Sequence, residues 1–185
     1  NGESGKVEIL ADGKRWLLGR IDAVKALSRV PEKDAENAYD TLVDALEDDY
    51  PDVRIAALKT LPSFSLRRQG ILFHCLSDRL QDDEDSVREE AMICLKKVAP
   101  LFPSGCEEIL RRELRDSRKD HRGNAFEALK LASRDWPEVG CLHLDELIRE
   151  EEDDLRIRGS LILRTIASRG GAEAWDLIGW SLQDE

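Results

Sequence analysis

The stretch DDEDSVREEAMICL, residues 82–95, decides the fold, because nearly the same pattern stands at DDYPDVRIAALKTL, residues 48–61. In both stretches an acidic segment leads into a Val-Arg pair, and apolar residues follow at helical spacing. Arg54 and Arg88 are separated by 34 residues. A fixed period of this length is typical of helical-repeat proteins, in which each repeat buries its apolar face against its neighbours.

The same arginine recurs along most of the chain. The matching residues are Arg20, Arg54, Arg88, Arg122 and Arg158, with steps of 34 and a last step of 36. Apolar residues follow most of them at three, four and seven positions, which makes one face of a helix. Leucines stand eight and twelve positions before Arg54, Arg88 and Arg122, on a preceding helix. Leu144 and Ile148 match these leucines only if the last turn has gained two residues, which accounts for the step of 36.

The acidic turn followed by Val-Arg, Ala and Leu resembles HEAT repeats, in particular the short PBS-lyase HEAT-like repeats. DDYPDVRIAAL and DDEDSVREEAM fit closely, whereas His121 and Ile157 replace the valine in two later repeats. The resemblance covers about residues 14–185. It implies an all-α fold, a right-handed α-solenoid of about five HEAT-like helical hairpins plus a terminal half-repeat, whose second helices start near the repeated arginines.

The HEAT resemblance also gives the arginines a structural role. It implies that each arginine pairs with acids of its own turn or of the adjacent unit, so that the pairs form a ladder fixing the register of stacked units. The residues of this predicted ladder are Arg54, Arg88, Arg122, Arg158, Asp48, Asp82, Asp116 and Asp153. A partly buried charge needs such a partner, because removing one side costs more than the net worth of the pair.

The charge of the chain restricts its partners. With 28 Lys and Arg against 39 Asp and Glu, the formal net charge is −11. Nucleic-acid binding calls for a basic footprint, so we expect no nucleic-acid partner. No apolar run approaches the roughly 20 residues of a membrane span, so no membrane partner is expected. The four cysteines form no CxxC pair, which indicates free thiols in a reducing compartment and hence a cytoplasmic protein.

The N-terminal residues 1–13 form a lead-in segment with two conformations left open. Asp-Gly between alternating apolar residues favours a short hairpin, while an irregular segment before a helix from about Lys14 fits equally well. GESGK at the start lacks the remaining residues of a phosphate-binding loop. Because the first residue is Asn1, we expect a processed or excised piece of a longer chain.

No catalytic, cofactor-binding or metal-binding motif is found, and we expect no enzyme activity and no cofactor. His74, His121 and His143 show no metal-ligand spacing. Some relatives of this repeat type are subunits of bilin lyases or isomerases, which stands as the alternative function.

The expected function is that of a protein–protein interaction scaffold. In solenoids of this kind the outer face of the second helices lines the concave surface, which changes here from polar to apolar along the chain. Ile93, Leu131 and Leu163 lie on that face and are candidate contacts for a protein or peptide partner.

The C-terminal residues 171–185 read as a first helix without a second. Trp175 and Trp180 on this helix are further partner-binding candidates. Solenoids normally end with a unit whose outer face is polar. We therefore expect that the natural protein continues with another Val-Arg helix or that this end associates with a second molecule.

Overall fold

Regular structure in the described part of the chain is helical. The computed structural model describes residues 2–31, 34–64, 69–141, 143, 153–168 and 179, with side chains from residue 13 onward except 35, 69 and 153–156. The helices are α1 (Gly2–Ala26), α2 (Ala35–Leu46), α3 (Pro51–Thr60), α4 (Gln69–Arg79), α5 (Asp85–Val98), α6 (Pro103–Leu114), α7 (Lys119–Asp135) and α8 (Asp153–Ala167). Residues 137–141 form a further helical segment. None of the described helices is both long and apolar enough to cross a bilayer.

The helices advance with the predicted period. The first helices, α2, α4 and α6, begin at residues 35, 69 and 103, and the second helices, α3, α5, α7 and α8, begin at 51, 85, 119 and 153, so both series step by 34 residues. Proline opens α3 and α6, where its missing N–H costs no hydrogen bond. The expected all-α fold of repeated helical hairpins is confirmed.

The chain divides by packing into two compact units, Asn1–Cys94 and Leu95–Glu185, with the boundary inside α5. In the first unit, α1 packs on α3, and α2 packs on α3 and α4. The leucines of its core, each at most 1% exposed, are Leu42, Leu46, Leu58, Leu61, Leu72, Leu76 and Leu80. Fully burying one leucine stabilises the fold by about 1.5–3 kcal/mol, so this layer accounts for much of the hydrophobic stabilisation of the unit.

In the second unit, α7 packs on both α6 and α8. Among its described residues, the fully buried apolar side chains are Leu95, Val98, Ala99, Cys106, Leu110, Ala125, Ala128, Leu129, Ala132, Ile162 and Ile166. Gly140, in the segment 137–141, lies so close to this core that an added Cβ would stand 2.5 Å from Ser133 Oγ and 2.9 Å from Ile166 Cδ1. Any larger residue at this position would therefore force the side chains of Ser133 and Ile166 to shift.

The N-terminal segment differs from both expected conformations. Residues 2–13 form neither a hairpin nor an irregular lead-in, because α1 runs without interruption from Gly2 to Ala26. A helix satisfies its backbone groups locally, whereas an isolated two-stranded hairpin is marginally stable. The turn signal at Asp12 and Gly13 is overridden for this reason, and α1 begins well before Arg20.

The last described helix also differs from expectation, because its burial follows a step of 34 and not 36. The buried residues among its described side chains are Gly159, Ile162 and Ile166. Each stands 34 residues after a buried alanine of α7. Leu161, which a step of 36 would bury, is 40% exposed. Arg158 therefore lies two positions beyond the place that Arg122 holds in its own repeat.

Candidate functional site

The acidic turns share one local arrangement, which is built on an aspartate. Oδ1 of Asp48, Asp82 and Asp116 accepts a hydrogen bond from the backbone N–H two residues later, at 2.9, 3.1 and 2.8 Å. Such a contact closes a turn with the side chain of its first residue. The arginine six residues after the aspartate donates from Nη1 to the aspartate carbonyl oxygen, at 2.7 Å for Arg54 and 2.8 Å for Arg122. The arginine therefore stabilises the turn of its own repeat through a hydrogen bond to the backbone.

In two of these turns, at Asp48 and Asp82, the carboxylate of the aspartate also binds an arginine from the preceding repeat. Arg54 Nη2 donates to Asp82 Oδ1 at 2.8 Å, and the two side chains are only 11% and 4% exposed. Arg20 pairs with Asp48 in the same way. Both pairs span 28 residues, which is one period less the six residues inside a turn. Because a guanidinium presents its N–H groups in a fixed fork, one arginine can bind two adjacent turns.

Two other residues of the predicted ladder make contacts within a turn. Arg88 donates to the Asp82 carbonyl oxygen and pairs with Asp85, whose side chain is 87% exposed. The Asp116 carboxylate accepts two hydrogen bonds from Arg118, at 2.8 and 2.9 Å. The hydrogen bond to Asp116 is the largest cause that raises the pKa of Arg118.

For the last predicted pair, Arg158 and Asp153, the structure describes the side chain of the arginine only. The guanidinium carbon of Arg158 lies 5.2 Å from the centroid of the Phe126 ring, a cation–π distance. Asp153 is the first residue of α8, and its side chain lies outside the described residues. The shift of α8 to a step of 34 explains why Arg158 meets an aromatic ring of α7.

An open groove lies along the surface between α7 and α8, and we call it the α7–α8 groove. It encloses about 480 Å³ and is lined by Lys130, Arg134, Leu161, Arg164, Thr165 and Ser168. Lys130 and Arg134 stand one helical turn apart and therefore share a face of α7. Leu161, Arg164 and Ser168 share a face of α8 for the same reason. The direct contact of these two second helices thus brings three cations around one exposed leucine.

The cations of the α7–α8 groove have only weak partners within the described residues. Lys130 Nζ lies 3.0 Å from a carboxylate oxygen of Glu127, and Arg134 lies 3.4 Å from Asp135. Exposed pairs of this kind contribute about 0–1 kcal/mol each. Arg164 is exposed and makes no ion pair with any residue that the structure describes. All three side chains are therefore accessible to a ligand with little loss of existing contacts.

The partner-binding candidates from the sequence lie elsewhere on the surface or outside the described residues. Ile93 is 39% exposed and Leu131 is 37% exposed, while Leu163 is half-buried. None of the three lines the α7–α8 groove. Trp175, Trp180 and the expected self-association through the C-terminal helix fall outside the described residues.

Sequence reasoning missed Leu161 as a surface residue because the step of 36 assigned it to the core. The spacing of Leu161, Arg164 and Ser168, at three and four residues, is the signal that could have identified this face.

Three of the cysteines, Cys75, Cys106 and Cys141, are poor nucleophiles. Burial raises the pKa of Cys106 to about 12. The pKa of Cys75 is raised by burial first and then by Glu47, and that of Cys141 by burial first and then by Glu138. The thiolate is the reactive form, so these groups are protonated and unreactive near neutral pH.

One cluster has the ligand types of a metal site. Single ligand atoms of Glu113, Asp116 and His121 lie within 4.8 Å of one another, and Glu113 and His121 are buried. His121 Nδ1 already lies 3.3 Å from Glu113 Oε2. Arg112 contacts Glu113 at 2.9 Å, and Arg118 contacts Asp116 at 2.8 Å. With a guanidinium on each carboxylate, the cluster is an internal ion-pair network, since a dication would have to compete with two fixed positive charges.

No family model and no curated protein matches the sequence. Among solved structures, the chain is similar to a designed armadillo repeat protein in complex with the peptide (KR)4, at 17% identity and a TM-score of 0.54, covering 91% of this chain and 82% of that one. It is also similar to an engineered protein solved by the Northeast Structural Genomics Consortium, at 18% identity and a TM-score of 0.47, covering 87% and 78%. With the repeated helical hairpins described above, the first similarity shows that the chain has the fold of an armadillo-like α-solenoid.

Proposed function

We propose that the chain is a non-catalytic scaffold that binds a protein or peptide through the surface of its second helices. The observation that carries this proposal is the α7–α8 groove, where Leu161 is 40% exposed among three cations. An apolar side chain surrounded by polar groups offers a partner area to bury and groups that fix its orientation. Leu131, next to Lys130 on α7, adds exposed apolar area.

The similar designed armadillo repeat protein supports this assignment, because it was solved with a bound peptide. Solenoids present a series of helices side by side, and this arrangement forms an extended surface for a partner chain.

We further infer that the repeats are of the short HEAT-like type and that the protein is cytoplasmic. The Val-Arg pair at Val53 and Arg54, with the contacts of Arg54 to two successive turns, supports the repeat type. All four cysteines are free thiols, as expected in a reducing compartment.

A selection from a random peptide library on the immobilised protein tests the proposed function without presupposing a ligand. We expect enriched peptides to bind the wild-type protein and to bind Leu161→Glu about tenfold or more weakly, because the substitution replaces the apolar contact with a charge.

The matched control for this experiment is Ile157→Glu. Ile157 is 60% exposed on the same helix and does not line the groove. Peptide affinity should therefore be retained in this variant. A selection that enriches no peptide, or enriched peptides that bind both variants equally well, would contradict the proposed function.

A further inference from the structure

We propose that the α7–α8 groove is specific for an acidic peptide segment, one that carries an apolar side chain between carboxylates. This inference rests on the proposed function and adds the chemical class of the ligand. The ligand would place its carboxylates against Lys130, Arg134 and Arg164, and its apolar side chain against Leu161.

The first argument is the contrast in charge between the groove and the chain. The whole chain carries a formal net charge of −11. Among the described residues, the charged side chains that line the α7–α8 groove are nevertheless all cations, namely Lys130, Arg134 and Arg164. Complementary potentials accelerate encounter and discriminate against partners of the wrong sign. A local reversal of charge therefore favours an anionic ligand at this place.

The second argument is that the cations can exchange their present partners. The Lys130 and Glu127 side chains are 40% and 49% exposed, and those of Arg134 and Asp135 are 58% and 41% exposed. Such exposed pairs are weak. A ligand carboxylate that is partly desolvated in the groove would form stronger, charge-assisted hydrogen bonds with the same groups.

The third argument concerns the remaining lining atoms. Thr165 Oγ1 donates to the Leu161 carbonyl oxygen at 2.9 Å, and Ser168 Oγ donates to the Thr165 carbonyl oxygen at 2.8 Å. Both hydroxyl protons are thus used within α8 and its end, so among the described lining side chains the cations are the donors that remain for a ligand. The exposed side chain of Leu161 requires an apolar group opposite it.

An acidic peptide fits these features better than a nucleic acid does. A nucleic acid is a long polyanion, and its binding calls for an extended basic surface, which a chain of net charge −11 opposes. Binding of single strands also uses aromatic side chains for stacking, and none of the described residues that line the α7–α8 groove is aromatic. A short peptide needs only local complementarity, since exposed charges beyond about 8–10 Å are screened.

Fluorescence anisotropy with three short labelled peptides tests the proposal. The first peptide has Asp and Glu on both sides of a Leu, the second has Asn and Gln in their place, and the third has Lys and Arg. We expect the acidic peptide to bind about tenfold more tightly than its amide counterpart, and its affinity to fall as ionic strength rises.

The double variant Arg134→Gln, Arg164→Gln should remove this preference for the acidic peptide. The matched control is Lys97→Gln, Lys119→Gln, which changes the net charge equally at exposed cations outside the groove and should retain the preference. Circular dichroism of both variants establishes that they are folded.

The outcomes separate this inference from the proposed function. If library peptides bind in a Leu161-dependent manner but acidic and amide peptides bind equally, or the basic peptide binds best, only the acidic specificity is overturned. The acidic specificity would also be overturned if the control variant lost the preference for the acidic peptide equally. The same holds if a single-stranded oligonucleotide bound more tightly than the acidic peptide. A last outcome would also overturn the acidic specificity. In it, the protein forms a dimer in sedimentation experiments, the Arg134 and Arg164 substitutions dissociate this dimer, and the wild-type protein shows no preference for the acidic peptide.

Discussion

At the scale of single residues, Asp82 at the start of its acidic turn has two structural roles. The Asp82 side chain accepts one hydrogen bond from the backbone N–H of Glu84 and another from the guanidinium of Arg54 in the preceding repeat. Its backbone carbonyl accepts Arg88 from its own repeat. Asp82 thus stabilises its own turn and also links that turn to the preceding repeat. Lysine could not replace Arg54, because a single ammonium cannot reach both turns in this fixed geometry.

We predict that Arg54→Ala destabilises the protein much more than Arg29→Ala. Loss of Arg54 removes one of two guanidinium partners of Asp82, whose side chain is only 4% exposed, and leaves Arg79 at 3.2 Å. Breaking a buried pair costs up to about 3–5 kcal/mol. Arg29 is exposed, and surface substitutions usually change stability by about 0.5 kcal/mol or less. Urea denaturation measures both differences, and equal midpoints would show that the ladder contact contributes nothing.

At the scale of secondary-structure elements, α8 shows how packing chooses between two registers. Leu161, Ile162 and Leu163 are consecutive apolar residues, so the helix could turn more than one apolar face inward. Contact with α7 buries Ile162 and leaves Leu161 exposed. In this register Leu161 lines the α7–α8 groove. The register of α8 against α7 therefore determines both the buried residues of this helix and the candidate binding surface.

We expect Ile162→Ala to lower the free energy of unfolding by about 2–5 kcal/mol, because it creates a cavity in a fully buried layer. Leu161→Ala on the same helix should cost below about 1 kcal/mol, since this side chain keeps contact with water. Thermal and urea unfolding of the two variants checks the difference. Comparable losses in the two variants would support the step of 36, which places both side chains in the core.

At the scale of the whole molecule, the described helices pack on partners close in sequence. Examples are α2 on α3 and α4, and α7 on α6 and α8. In such an array, stability is approximately a sum of repeat and nearest-neighbour terms. A local defect should therefore have a local effect.

Leu58→Ala provides the test of this locality. Leu58 is fully buried on α3 in the first unit, and α3 packs on α1 and α2, so we expect faster amide hydrogen exchange in α1, α2 and α3. Exchange in α8, which belongs to the second unit, should stay close to the wild-type rate. Uniformly faster exchange along the chain would indicate one cooperative unit and contradict this expectation.

Much of the architecture could be predicted from the sequence, because it depends on short-range spacing. Leu42, Leu46 and Leu80, predicted from their distance to the repeated arginines, are fully buried. Their burial follows from helical periodicity alone, since residues three, four and seven positions apart share a face. Proline and the acidic turn residues likewise mark helix starts through local backbone chemistry.

The amino-acid sequence by itself therefore determined the period, the helical hairpins and the core faces of the central repeats. Only the tertiary structure decided that Arg54 reaches Asp82 in the following repeat, that α8 keeps the step of 34, and that Leu161 lies in a basic groove. These features depend on how two helices pack against each other. Spacing within one helix specifies which residues share a face, but the partner helix decides which of several apolar faces is buried and which charges meet across the contact.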